Sequence, residues 1–209
     1  MRTEEINKWL EEGGEFPISL LSEVELLKEN DIKIVEEDSD YYMTRYRPHR
    51  VVYQTVGGKF HGEHSLYFRK EGTLMLQERT CYLHGEVVKA EAWWEGSGQK
   101  RGEMNFFSGK KHGKEQEWFP NGQKWYEKCW LYGKPDGKWE YWYKNGQKKQ
   151  ESNYLDGKAC GKWEYWHCNG QRWYEYHYFN GKQHGVLTEW DKDGNFVRDE
   201  EYYYGNKIK

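Results

Sequence analysis

The sequence predicts a mainly β protein, an elongated single-layer antiparallel β-meander of repeated hairpins with a small α/β cap at its N-terminal end. Three observations predict it. Glycine recurs on a 24-residue step at Gly85, Gly109, Gly133, Gly157, Gly181 and Gly205, and a fixed period of about 20 to 50 residues marks a stack of supersecondary units, none of which buries its apolar face alone. A turn dipeptide recurs in register, as Asn121-Gly122, Asn145-Gly146, Asn169-Gly170 and Asp193-Gly194. The stretches between these markers are rich in Trp and Tyr, which suit a pleated half-buried surface, and glycine interrupts them too often for helices.

Residues 1–56 lack the period and read as the cap. Residues 3–12 fit a short helix with Ile6, Trp9 and Leu10 on one side, and residues 17–30 carry a second apolar stripe, Leu20, Leu21, Val24 and Leu27, at helical spacing. Ser22-Glu23-Val24-Glu25 fits a capping box, with a start at Ser19 as an equal alternative. Ile32-Lys33-Ile34-Val35 reads as a strand, the acidic run Glu36-Glu37-Asp38-Ser39-Asp40 as an exposed loop, and residues 41–56 as strand-rich chain leading into the first repeat. Such a segment covers the open first edge of the sheet, which otherwise invites pairing with other chains. A separate partner-docking module is the alternative.

Residues 57–209 hold the repeats, about six with the last one partial. The unit is clearest from Gly133: Gly133-Lys134-Pro135-Asp136-Gly137, a strand over Lys138-Trp139-Glu140-Tyr141-Trp142-Tyr143, the Asn145-Gly146 turn, and a second strand between Gln147 and Tyr154. Asn-Gly tolerates positive φ at both residues, as a two-residue type I′ hairpin turn requires. Gly-Lys-x-x-Gly is the return connection, repeated from Gly109, Gly157 and Gly181. An earlier copy, Gly58-Lys59-Phe60-His61-Gly62, precedes Gly85 by 27 residues and so carries an insertion of three. Gly85-Glu86-Val87-Val88-Lys89 lacks the second glycine and is degenerate.

Two aromatic columns follow the period. Trp94, Trp118, Trp142, Trp166 and Trp190 each fall nine residues after the first glycine. With two strands per hairpin spaced about 4.8 Å apart, these rings repeat every ~10 Å and are expected to form a ladder that serves structure or protein binding. The second column is Phe106, Trp130, Tyr154, Tyr178 and Tyr202. Pairing about Asn145-Gly146 sets Tyr154 opposite Gly137, a ring over a residue with no side chain, although one bulge reverses the face each ring takes.

Spacing, turn residues and aromatic positions together resemble the MORN (membrane occupation and recognition nexus) repeat family, in the variant class with the Asn-Gly turn and the Gly-Lys-x-x-Gly-x-Trp start. The resemblance covers residues 57–209 and is clearest over 109–204. It implies an elongated antiparallel meander acting as a scaffold or interaction surface. Some family members contact acidic phospholipids and others are assembly factors. The variant repeats also occur in bacterial antitoxin-like or immunity proteins and in Marseillevirus-like giant viruses, where a structural particle role is implied.

Composition narrows the function. Only 36% of the 209 residues are hydrophobic, yet 12 are Trp and 18 are Tyr, so the apolar content is aromatic and suits a thin sheet better than a deep aliphatic core. The start lacks a secretory layout and no apolar run is long enough to span a bilayer, so a soluble, intracellular protein is expected, cytoplasmic or in a virion. Cys81, Cys129, Cys160 and Cys168 are scattered without Cys-x-x-Cys spacing, so reduced thiols and no metal are expected, and no cofactor. Through residue 50 there are 13 acidic against 7 basic side chains, leaving the repeats near +3, too weakly basic for nucleic acid. His61, His112 and His184 share one repeat slot with Asp136 and Cys160, and the column Glu103, Glu127, Glu151, Glu175 and Asp199 repeats likewise, pairing with lysines across strands. Such arrays give near-identical environments where acid and base chemistry needs distinct ones, so no enzyme is expected. Protein–protein binding through the aromatic sheet is the leading expectation. Lys59, Lys110, Lys134, Lys158 and Lys182 recur beside the return connection and offer the alternative, an anionic membrane surface. A free C-terminal edge also suits end-to-end pairing with a second copy.

Overall fold

The computed structural model of the chain describes residues 32–37, 50–56, 59–70 and 73–209. The helices expected over 3–12 and 17–30, and most of the acidic loop, lie outside these residues. All described secondary structure is β-strand, arranged as open antiparallel meanders in which strands adjacent in sequence pair. The chain divides into two compact units, one ending at Gly113 and one starting at Lys114.

The first unit contains β1 (Ile32–Glu37), β2 (Arg50–Val56), β3 (Lys59–Phe60), β4 (Gly62–Lys70), β5 (Thr73–Leu83), β6 (Glu86–Trp93) and β7 (Lys100–Phe107). Strand β1 is antiparallel to β2, and β2 pairs in turn with β3 and β4, so the strand before the first repeat glycine already belongs to the repeat sheet. Strand β8 (Lys110–Trp118) leads into the second unit, which holds β9 (Lys124–Leu131), β10 (Lys134–Trp142), β11 (Lys148–Leu155), β12 (Lys158–Trp166), β13 (Arg172–Phe179), β14 (Lys182–Gln183), β15 (Gly185–Trp190), β16 (Phe196–Tyr203) and β17 (Asn206–Lys207).

Two kinds of turn alternate, and their chemistry is the reverse of the sequence expectation. The tight two-residue turns with positive φ at both positions are His84-Gly85, Ser108-Gly109, Tyr132-Gly133, Asp156-Gly157, Asn180-Gly181 and Tyr204-Gly205. At Asn121-Gly122, Asn145-Gly146 and Asn169-Gly170 only the glycine turns left-handed, with φ +84° at Gly146. There the Tyr143 N–H donates to Gln147 O at 2.8 Å and the Gly146 N–H to Tyr143 O at 2.9 Å, a three-residue loop that ends in a left-handed glycine. Asparagine is present for its side chain instead. Asn145 Oδ1 accepts the Gln147 N–H at 3.1 Å, and its Nδ2 donates to the Cys168 carbonyl oxygen of the next turn at 2.8 Å. Asn121 and Asn169 repeat both bonds.

The expected register is present: Gly137 faces Tyr154, Gly161 faces Tyr178, Gly185 faces Tyr202, and Gly62 faces Tyr82. The second glycine of Gly-Lys-x-x-Gly is thus part of a strand. It sits where the register of β10 against β9 shifts, between Pro135 and Trp139, with a φ of +83° that a bulge accommodates most readily with glycine.

The degenerate unit keeps its period by two compensating changes. Strand β6 gains only Val88 where the others gain more, since Cys81 faces Lys89 and Tyr82 faces Val87. The following wide turn is longer by one residue, closing from the Trp94 N–H to Gln99 O. Between Val88 and Gln99 the frame therefore moves by one. Trp93 faces Lys100 as Trp142 faces Lys148, Glu91 faces Glu103 as Glu140 faces Glu151, and Ala90 faces Met104 as Trp139 faces Ser152. Trp94 takes the corner place of Phe119, Tyr143 and His167.

Candidate functional site

Strand alternation gives the second unit two chemically different faces. On one, Trp139 of β10 is held between Trp130 and Tyr154, with ring centroids 4.9 and 4.6 Å away, and Trp163 of β12 between Tyr154 and Tyr178, at 5.3 and 4.8 Å. The indole Nε1 of Trp139 donates to Cys129 O at 2.9 Å and that of Trp163 to Asn153 O at 3.2 Å. Beside this ladder Tyr165 stacks on Tyr176 at 5.7 Å, and Ser152 beneath is fully buried. Burial, with Tyr154, Glu115 and Tyr165 nearby, pushes the Tyr141 hydroxyl up to about 12. Where the period substitutes Glu115 for the tryptophan, its buried carboxylate accepts from Tyr126 OH at 3.1 Å and Trp130 Nε1 at 2.7 Å. These rings are half-buried against one another, which makes this face the unit's core.

The opposite face carries ion-pair boxes. Lys138 and Lys148 each bridge Glu140 and Glu151, at 2.6 to 3.1 Å, and one period on Lys162 and Arg172 bridge Glu164 and Glu175, at 2.9 to 3.3 Å. In the first unit Lys89 and Lys100 bridge Glu91 and Glu103 in the same way. The ninth-step tryptophans end this face. Trp142, Trp166 and Trp190 make no ring contact among the described residues. The ladder they form is mixed: Lys124 Nζ lies 5.5 Å from the Trp142 ring and Lys148 Nζ 5.7 Å from that of Trp166. Trp118 closes β8, and Trp94 lies beneath Arg101, at 5.8 Å, on the wide turn. Trp139 and Trp163, which pack between rings of neighbouring strands, stand at the Trp of the Gly-Lys-x-x-Gly-x-Trp start, but the period does not mark them as a column because the same slot holds Glu115 and Leu187 elsewhere.

The lysines of the return connection, Lys59 and Lys110 in the first unit and Lys134, Lys158 and Lys182 in the second, lie beside the tight turns of their own unit, all exposed. Their stems rest on the next turn: a Cβ placed on Gly157 would lie 3.7 Å from Lys134 Cβ, one on Gly181 3.8 Å from Lys158 Cβ, one on Gly205 3.9 Å from Lys182 Cβ, and one on Gly85 3.4 Å from Lys59 Cδ. Lys134 also bonds Asp156 at 2.6 Å, while Lys59, Lys110, Lys158 and Lys182 make no ion pair among the described residues. Directly across the tight turns stand Leu131, Leu155, Phe179 and Tyr203, facing Lys134, Lys158, Lys182 and Asn206. They form one 24-residue column, 40, 66, 55 and 56% exposed. Sequence reasoning passed over this column because its members differ in type.

Among the described residues no helix is long and apolar enough to cross a membrane, and the four cysteines are free thiols. No protein-family model and no curated protein matches the chain.

Proposed function

We propose that the chain is a non-catalytic scaffold of MORN type that binds a protein partner along its tight-turn edge. The exposed column Leu131, Leu155, Phe179 and Tyr203 carries this reading. Four large apolar groups at one repeat position present a regular stripe, and burying each against a partner contributes about 1 kcal/mol or more. The two sheet faces are less suited to this task, since one is filled by its own rings and the other by its own ion pairs. A virion or immunity role, implied by the family resemblance, is a setting for the same scaffold that the partner's identity decides.

The lysines favour a second reading, a peripheral anionic phospholipid surface. Lys158 and Lys182 stand beside Leu155 and Phe179 with no ion pair among the described residues, an apolar and basic mixture that suits a headgroup interface. One set of variants tests both. Leu155→Ser with Phe179→Ser is expected to abolish recovery of the partner from the native source at unchanged Tm, while Lys158→Glu with Lys182→Glu leaves it intact. Sedimentation with phosphatidylserine vesicles that is lost in the lysine variant, with no protein partner recovered, would select the membrane instead.

A further inference from the structure

The aromatic slot filled by Trp139 and Trp163 in the second unit is held by Ala90 in the first, because the frame shift in β6 places Ala90 opposite Met104 as Trp139 is opposite Ser152. The flanking rings are retained. Tyr82 stands where Trp130 does and Phe106 where Tyr154 does, and Phe106 makes no ring contact among the described residues. Between them is an open cavity of about 530 Å³ whose lining includes Thr80, Tyr82, Val87, Ala90 and Phe106. It reaches the tight turn Ser108-Gly109, where a Cβ on Gly109 would meet nothing within 4 Å. Glu86 lies on its rim and makes no ion pair among the described residues.

We propose that this cavity receives the indole of a tryptophan supplied by a partner polypeptide, with a basic residue beside it facing Glu86; the proposal rests on the protein-scaffold reading above. The chain's own repeats define the ligand. In both intact slots the occupant is an indole between two rings, donating its Nε1–H to the carbonyl ten residues before it, Cys129 or Asn153. The corresponding carbonyl here is nine residues before Ala90, that of Cys81. The cavity is open on one side, so an indole entering there stays joined to a backbone outside the sheet, whereas that of Trp139 rises from β10 itself. The carboxylate on the rim selects a cationic neighbour over an acidic one.

The test uses the full chain, N-acetyl-tryptophanamide and the dipeptide acetyl-Lys-Trp-amide. Saturable amide shifts are expected at Thr80, Val87 and Ala90, and Ala90→Trp, which fills the slot from within, is expected to abolish them and raise Tm. Phe106→Ser removes one wall and is expected to weaken both probes about tenfold, keeping the test valid if Ala90→Trp folds poorly. Glu86→Gln is expected to weaken the dipeptide alone. No saturable shift in the wild type, or equal shifts in Phe106→Ser, overturns the proposal. Partner recovery separates the two claims. A partner held equally by wild type and a folded Ala90→Trp overturns the tryptophan socket and leaves the scaffold standing. Probe binding with no partner recovered sinks the scaffold reading and leaves the socket.

Discussion

Asn145 donates from Nδ2 to the carbonyl oxygen of Cys168 across 2.8 Å, tying one wide turn to the next. Its Oδ1 meanwhile accepts the Gln147 N–H within its own turn. Asn145→Asp retains the acceptor but sets a carboxylate against a carbonyl, and Asn145→Ala removes both bonds. Each is expected to cost roughly 1 to 2 kcal/mol in urea unfolding, with hydrogen exchange faster at Gln147 in the Ala variant only.

Trp163 and Trp166 are three residues apart and differ in what they hold. Trp163 touches Tyr154, Tyr176 and Tyr178 and bonds Asn153 O, whereas Trp166 lies under Lys148 at the end of its strand. Trp163→Ala is expected to lose about 3 kcal/mol and Trp166→Ala about 1. Equal losses in chemical denaturation would contradict the assignment of the core to the Trp139–Trp163 face.

Asn180 adopts a left-handed backbone at φ +49° in a tight turn. Asparagine tolerates this and alanine does not, so Asn180→Ala is expected to destabilise by about 1 kcal/mol and Asn180→Gly to be close to neutral. The ordering of the three Tm values checks this.

Acid and alkali act on different sides of the ion-pair boxes. Partial burial pushes the Glu151 carboxyl up, but Lys148 and Lys138 outweigh it and hold the group below its ordinary value; Glu127 is lowered likewise by Lys124 and Gln116 despite its burial. Their stabilisation is therefore complete above the unfolded value of about 4.3 and is lost as pH falls through the lower folded values. Against the opposing effect of burial, bonds to Glu140 and Glu151 raise Lys148, so its contribution is complete below about pH 10.4 and is lost as pH rises through the higher folded value, and that of Tyr141, raised to about 12 by burial, is complete below about pH 10 and is lost above that. Tm should hold a plateau between these limits and fall at both ends, with Glu151→Gln flattening part of the acid limb.

The period, the strand pairing and the Gly137–Tyr154 register were legible because the glycines and the two ring columns that start at Trp118 and Trp130 repeat at every step through the second unit. The turn type was not. Asn-Gly is the strongest signal for a type I′ turn, yet Asn145 is required for two side-chain bonds, while Tyr132 and Tyr204 accept left-handed backbones that their residue type does not advertise. The exchange of Trp94 for Trp93 was hidden for a different reason. One residue fewer at the β6 bulge and one more in the wide turn cancel, so the 24-residue step survives while every residue between them changes place. The socket at Ala90 was invisible for the same cause, since counting in steps of 24 back from Trp139 lands on Glu91.

Hydrogen exchange of the chain with its partner bound decides whether the proposed binding runs along the tight-turn edge. New protection is expected at Leu131 to Lys134, Leu155 to Lys158 and Phe179 to Lys182. Protection confined to the wide turns at Asn121, Asn145 and Asn169, with the tight turns unchanged, would contradict it.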